Sequence, residues 1–179
     1  MATDRGVTDQ PWTVPVRIGE IGRGLKRRLE ADAAARARIA RVLGLQALDR
    51  LDAEVSVAPS AQGFEARGAL HAELTQTCGV TLEPLPADLR TDFAVRFVEA
   101  DEAEAAEPAR EVVVTLEDED PPDLIEDGVV DLGAYVVEHL ALALDPFPRK
   151  PGAEFEAPAQ APEPSPFAAL ARLKPEADD

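Results

Sequence analysis

Two histidines, one cysteine and a surplus of carboxylates are the residues of this 179-residue chain with the types to do chemistry. Their spacing supports little of it. A zinc site takes about four nitrogen, sulfur or carboxylate ligands, and Cys78, His71 and His139 stand at no metal-ligand spacing. A nucleophilic Cys–His pair would have to be assembled entirely by folding. His71 lies on the polar side of an alternating run, and His139 follows Glu138 inside an apolar helical run; both read as surface or packing histidines. The sequence G-E-I-G-R-G over Gly19–Gly24 has neither the spacing nor the context of a dinucleotide fingerprint, and no G-K-[ST] follows it. The acidic run Glu117–Asp120 lacks the ligand spacing and central glycine of a calcium loop. The expectation is a non-enzymatic protein with no catalytic residue, no metal and no cofactor. A hydrolase or metal enzyme built from dispersed carboxylates with His71 or His139 is the weaker rival.

The charged residues say more. The chain holds 18 Lys and Arg against 35 Asp and Glu, a net charge of −17. The signs are separated: residues 1–50 carry ten cations against six acids, and residues 51–179 carry eight against twenty-nine. Between Arg23 and Arg41 stand Arg23, Lys26, Arg27, Arg28, Arg36, Arg38 and Arg41, opposed by Glu30 and Asp32 alone. Such a cluster can neutralise phosphates and release their counterions, or it can be solvated or paired with the acidic half. With aromatics at only 4%, no stacking platform for bases accompanies it.

The elements that must position these groups follow from periodicity. Residues 12–18 read as an edge strand or arm, with Pro15 inside. Leu25–Leu43 is rich in Ala, Arg and Leu and free of Pro and Gly, so propensity predicts a helix over 25–43. It would stop at Gly44, with Lys26, Arg27, Arg38 and Arg41 opposite an apolar stripe that Arg36 interrupts. Alternating runs near 51–57, 64–74 and 89–97 predict half-buried antiparallel strands. Val112–Leu116 adds another, after an acidic insert over Glu99–Glu107. Asp131 is a favoured N-cap for a helix over 131–144 that Pro146 and Pro148 prevent from continuing. The expected fold is α+β over residues 1–150: an antiparallel meander, curled towards a barrel, on two main helices. Residues 151–179 form a Pro/Ala/Glu-rich, flexible tail. Its segment 165–174, S-P-F-A-A-L-A-R-L-K, spaces Phe167, Leu170 and Leu173 helically and reads equally as a docking segment that folds on contact or as a frayed terminus. One cysteine excludes an internal disulfide, and no apolar run has the roughly 20 residues of a membrane span. The polar start, Met1–Gln10, carries no signal-like region, so a soluble, cytoplasmic protein is expected.

Three stretches resemble the YceD family, the large ribosomal RNA subunit accumulation proteins. L-T-Q-T-C-G-V-T-L-E-P-L, from Leu74 to Leu85, is similar to the family's C-x-x-C element and its turn, at Cys78 and Gly79. D-G-V-V-D-L-G-A-Y-V-V-E-H-L-A-L-A-L-D-P-F-P, from Asp127 to Pro148, is similar to its last helix and proline exit, with Asp131 and Leu132 at the helix start. The segment 165–174 resembles the N-P-F-A-x-L-x-x-L-K ending, through Pro166, Phe167 and Leu170. Thr75 replaces the first cysteine of the pattern, and a later cysteine is replaced near Phe155, so no thiol chemistry is carried over. The resemblance implies a cytoplasmic accessory factor for synthesis, processing or accumulation of 23S ribosomal RNA, with ribosomal RNA or a ribosome-assembly protein as partner. Neither membrane nor DNA is expected. Arg23, Lys26, Arg27, Arg28, Arg38 and Arg41 are the candidate contacts. The alternative is an acidic adaptor or chaperone that holds a basic client, such as a ribosomal protein, and touches no RNA.

Overall fold

The computed structural model describes residues 10–61, 63–100, 121–125 and 127–155. Its centre is an open sheet ordered β2-β3-β4-β5-β6, built from β2 (Leu25–Glu30), β3 (Ala47–Pro59), β4 (Phe64–Thr77), β5 (Pro84–Glu99) and β6 (Asp123–Ile125). Strands β2 to β5 pair antiparallel in sequence order, as a meander, and β6 joins β5 in parallel. The sheet does not close into a barrel. A short ribbon joins β1 (Pro15–Arg17) to β7 (Val129–Asp131). The helices are α1 (Ile18–Ile21), α2 (Ala33–Val42) and α3 (Leu132–Ala143).

Alternation gives the sheet two unlike faces. Leu51, Ala53, Val55 and Val57 of β3 point inward with Ala66, Leu70, Ala72 and Leu74 of β4 and Phe93 and Phe97 of β5, all buried. Against them pack Val136, Val137 and Leu140 of α3, Ile39 of α2, Ile21 of α1 and Trp12 of the N-terminal arm. The α+β architecture is thus two layers over an aliphatic core. Close approach is bought by two glycines. A Cβ on Gly68 would lie 2.3 Å from the ring of Phe93, its cross-strand partner, and one on Gly133 would lie 2.9 Å from the arm's backbone at Trp12 and Val14.

The helix expected over 25–43 is a correction. Its first third is strand β2, paired Leu25↔Val57 through Glu30↔Asp52, and only Ala33–Val42 is helical. Two forces decide this. Leu29 gains a buried place beside β3 that an isolated helix would not give it. Asp32 then starts α2, its Oδ1 accepting from Ala35 N at 2.7 Å. The anticipated insert beyond Ala100, the strand over Val112–Leu116, the acidic run Glu117–Asp120 and the whole segment 156–179, with Pro166, Phe167 and Leu170, lie outside the described residues.

Candidate nucleic-acid interface

Among the described residues, strand β2 is an edge of the sheet. Its register sends Lys26 and Arg28 to the outer face and Arg27 to the inner side, and all three are exposed. Arg27 Nη2 stands 4.0 Å from Glu20 Oε2 of α1, an exposed pair worth little. Arg23 lies in the turn before β2, exposed. Arg41 lies exposed in the last turn of α2, where a cation complements the helix carbonyls. Among the described residues, Arg23, Lys26, Arg28 and Arg41 make no ion pair within 4 Å. Glu54 faces Arg28 across the register without closing on it.

The other two cations of the cluster serve the fold. Arg38 Nε donates to the Pro11 carbonyl at 2.9 Å and ties down the arm. Arg36 is half-buried and donates through Nη1 to the Ala31 carbonyl at 2.7 Å, which accommodates a guanidinium within an apolar stripe. The candidate cations are therefore not one helix face but two groups, on β2 with its preceding turn and on α2.

Behind Lys26 and Arg28 the outer face forms a shallow trough of about 790 Å³. Cross-strand rows build it: Lys26–Ser56–Arg67–Ala94 and Arg28–Glu54–Ala69–Asp92. Small side chains make the floor and charges make the rim. Arg67, whose Nη2 reaches Glu65 Oε1 at 2.9 Å, does not stand out in the sequence, because the helical propensity of 25–30 hides its alignment with the cations of β2. Read as a strand, L-K-R-R-L-E would have aligned its alternate cations with the polar face of the next strands.

Further along the same face lies a charge ladder. His71 Nε2 donates to Asp88 Oδ2 at 3.1 Å, Arg90 Nε donates to Asp88 Oδ1 at 3.2 Å, and Arg50 binds Asp52 and Glu73. His71 and Arg50 hold the Asp88 and Asp52 carboxyls, respectively, below the usual carboxylate range. Ligand atoms of His71, Glu73 and Asp88 fall within 4.8 Å of one another, but both carboxylates are engaged by guanidinium groups. His139 packs: its ring stacks on Phe93 with centroids 4.4 Å apart, and Nδ1 donates to the Tyr135 carbonyl at 2.9 Å.

Cys78 sits in a knot at the far end of β4. Its buried sulfur receives the N–H groups of Thr81 (3.5 Å) and Lys150 (3.4 Å). The Thr81 side chain and the N–H groups of Lys150, Thr81 and Val80 push the thiol down to about 6. Gly79 N donates to the Pro148 carbonyl at 2.8 Å, and Lys150 Nζ reaches Glu83 Oε2 at 3.1 Å. The turn after β4 and the exit from α3 are thereby stitched together. Asp131 caps α3, its Oδ1 accepting from Gly133 N (2.9 Å), Ala134 N (3.2 Å) and, from the arm, Val14 N (2.7 Å). Leu132 is buried beside it.

This is an open-sheet α+β protein whose distinguishing surfaces are a cationic edge and a stitched exit. The family model for the large ribosomal RNA subunit accumulation protein YceD matches residues 66–174, and the chain belongs to that family. Membership ties it to ribosome biogenesis. The match takes in β4, β5, Cys78, Gly79, Asp131 and Leu132 and begins after β2 and α2, so the cationic edge lies outside it. No curated protein and no solved structure matches the chain. Among the described residues, no helix is long and apolar enough to cross a membrane.

Proposed function

We propose that this protein is a non-enzymatic accessory factor that supports accumulation of 23S ribosomal RNA by holding RNA phosphates along the β2 edge. The observation that carries this reading is that Arg23, Lys26, Arg28 and Arg41 make no ion pair within 4 Å among the described residues of a chain whose net charge is −17. In so acidic a protein, exposed cations left outside close ion pairs favour an anionic partner. Phosphates meet Lys26 and Arg28 first, two residues apart on the outer face, with Arg67 behind them at the trough. The contact reads backbone charge rather than bases, since the aromatic residue that lines the trough among the described residues, Phe93, is buried and stacked on His139.

The test is RNA binding by the full chain over a salt series, with Lys26→Glu/Arg28→Glu beside it. Each phosphate contact contributes about 0.7–0.9 to the slope of log K against log salt. The variant should bind at least tenfold more weakly, with a slope shallower by about 1.5. An unchanged affinity and slope would remove the phosphate contact. Partners recovered equally with and without nuclease treatment would instead favour the protein-only adaptor for a basic client.

A further inference from the structure

The outer face of the sheet gathers one imidazole and two carboxylates at a single point. His71 and Glu73 stand two apart on β4 and share that face, and Asp88 of β5 is the cross-strand partner of Glu73. A ring nitrogen of His71 and one carboxylate oxygen from each of the other two lie within 4.8 Å of one another. The sequence shows only H-x-E at 71–73, and register supplies the third member from the next strand. The pairing also sets a conflict. Glu73 and Asp88 are like charges directly opposite each other, which destabilises a sheet. The neighbouring guanidinium groups relieve it in part. Arg90 Nε reaches Asp88 Oδ1 at 3.2 Å. Arg50 gives its hydrogen bond to Asp52 and stands 3.7 Å from Glu73 Oε1, too long for a second one.

We propose that His71, Glu73 and Asp88 bind a divalent transition-metal cation, such as Zn2+, between β4 and β5. Imidazole nitrogen beside carboxylate oxygen is a donor set that suits first-row transition ions, whereas Mg2+ and Ca2+ favour oxygen alone. The spacing suits one too. Ligands about 2.1 Å from a tetrahedral zinc stand about 3.4 Å from each other, and His71 Nε2 and Asp88 Oδ2 are 3.1 Å apart. The ion enters between these two atoms in place of the Nε2 proton, and the ring then keeps its proton on Nδ1. Asp88 Oδ1 stays with Arg90, an outer contact that orients the carboxylate and leaves Oδ2 to the ion. His71 is the fixed member, its side chain only 16% exposed. Glu73 is exposed and loosely held, so its carboxylate closes on the ion by side-chain rotation alone. Water completes the shell, since the site opens to solvent. Two positive charges then stand between two negative ones, and the ion ties β4 to β5. The inference is independent of RNA contact, because it uses no residue of the cationic edge.

Equilibrium dialysis of the full chain against micromolar Zn2+, followed by metal analysis, tests the site. The parent should retain one ion per chain. His71→Gln/Asp88→Asn should weaken that binding by about tenfold or more, and Glu73→Gln, which leaves the His71–Asp88 contact intact, should weaken it in the same direction. Cys78→Ser should retain the ion, because the buried sulfur is no part of this set. Zinc should also raise the thermal midpoint of the parent and leave that of His71→Gln/Asp88→Asn unmoved, since only a folded pair of strands presents the three ligands. A parent that retains no zinc would overturn the proposal. So would zinc that His71→Gln/Asp88→Asn and Glu73→Gln both keep, or that Cys78→Ser alone releases.

Discussion

The two ends of the sheet solve opposite problems. At β2, three consecutive cations stand exposed on an open strand, and those on the outer face have no ion-pair partner among the described residues. At the knot, a buried sulfur collects several donors, Glu83 takes Lys150, and the backbone of Gly79 finds Pro148. One end leaves its charge available, and the other spends its polar groups on itself. Long-range electrostatics governs the first, and local geometry the second. The same polar side chains therefore mean different things in the two places. An unpaired lysine on an edge is an invitation to a polyanion and a guard against self-pairing of strands, whereas a satisfied thiol is a fastener.

The contrast can be broken first in the core between the two ends. Phe97→Ala, at a fully buried position, should cost about 3–5 kcal/mol in urea unfolding, whereas Leu29→Ala at the edge strand should cost about 2–3 kcal/mol. Equal losses would show that β2 is as integral as β5. The helix caps come next. Asp131→Ala frees three N–H groups, one from the arm, and should cost about 2 kcal/mol, while Asp32→Ala frees one and should cost about 1 kcal/mol.

Acidity sharpens the knot's side of the comparison. The folded thiol of Cys78 is pushed down to about 6, against about 8.5 for an unfolded cysteine. Stability from the thiolate is complete above the unfolded value and is lost as pH falls through about 6. The urea midpoint should therefore climb between pH 6 and 8.5, and Cys78→Ser should flatten that climb. Lys150 holds Glu83 below its ordinary value, so that pair's contribution disappears only in stronger acid. The smallest effect belongs to the cationic edge. Lys26→Gln/Arg28→Gln should change unfolding stability by less than about 0.5 kcal/mol, since both side chains are exposed and neither substitution sets a like charge against Glu54, even as RNA affinity falls.

The sheet was legible because alternation over Leu51–Val57, Phe64–Leu74 and Leu89–Phe97 admits one period. The helix behind Asp131 was legible because its cap and its proline stop agree with its apolar face. The segment 25–30 was not. Leu25 and Leu29 are four apart, a separation that returns to nearly the same side of a helix and to the same side of a strand. Local propensity favoured the helix, and pairing with Val57, Val55 and Ala53, a long-range contact, overrode it. Charge alone marks the candidate cations, and local propensity misplaces those of 25–30 along with their segment. The knot was visible only as Cys78 and Gly79 within a motif. Nothing local in the sequence says that Lys150, 72 residues away, would donate to that sulfur.

The N-terminal arm touches both halves. Arg38 of α2 holds the Pro11 carbonyl, and Asp131 at the head of α3 holds the Val14 amide. Between those two grips sits Trp12, 8% exposed and the sole indole in the chain. The protein thus carries its own optical gauge: emission from one ring, blue while the clasp is shut, turns red when either hand lets go, with no dye attached.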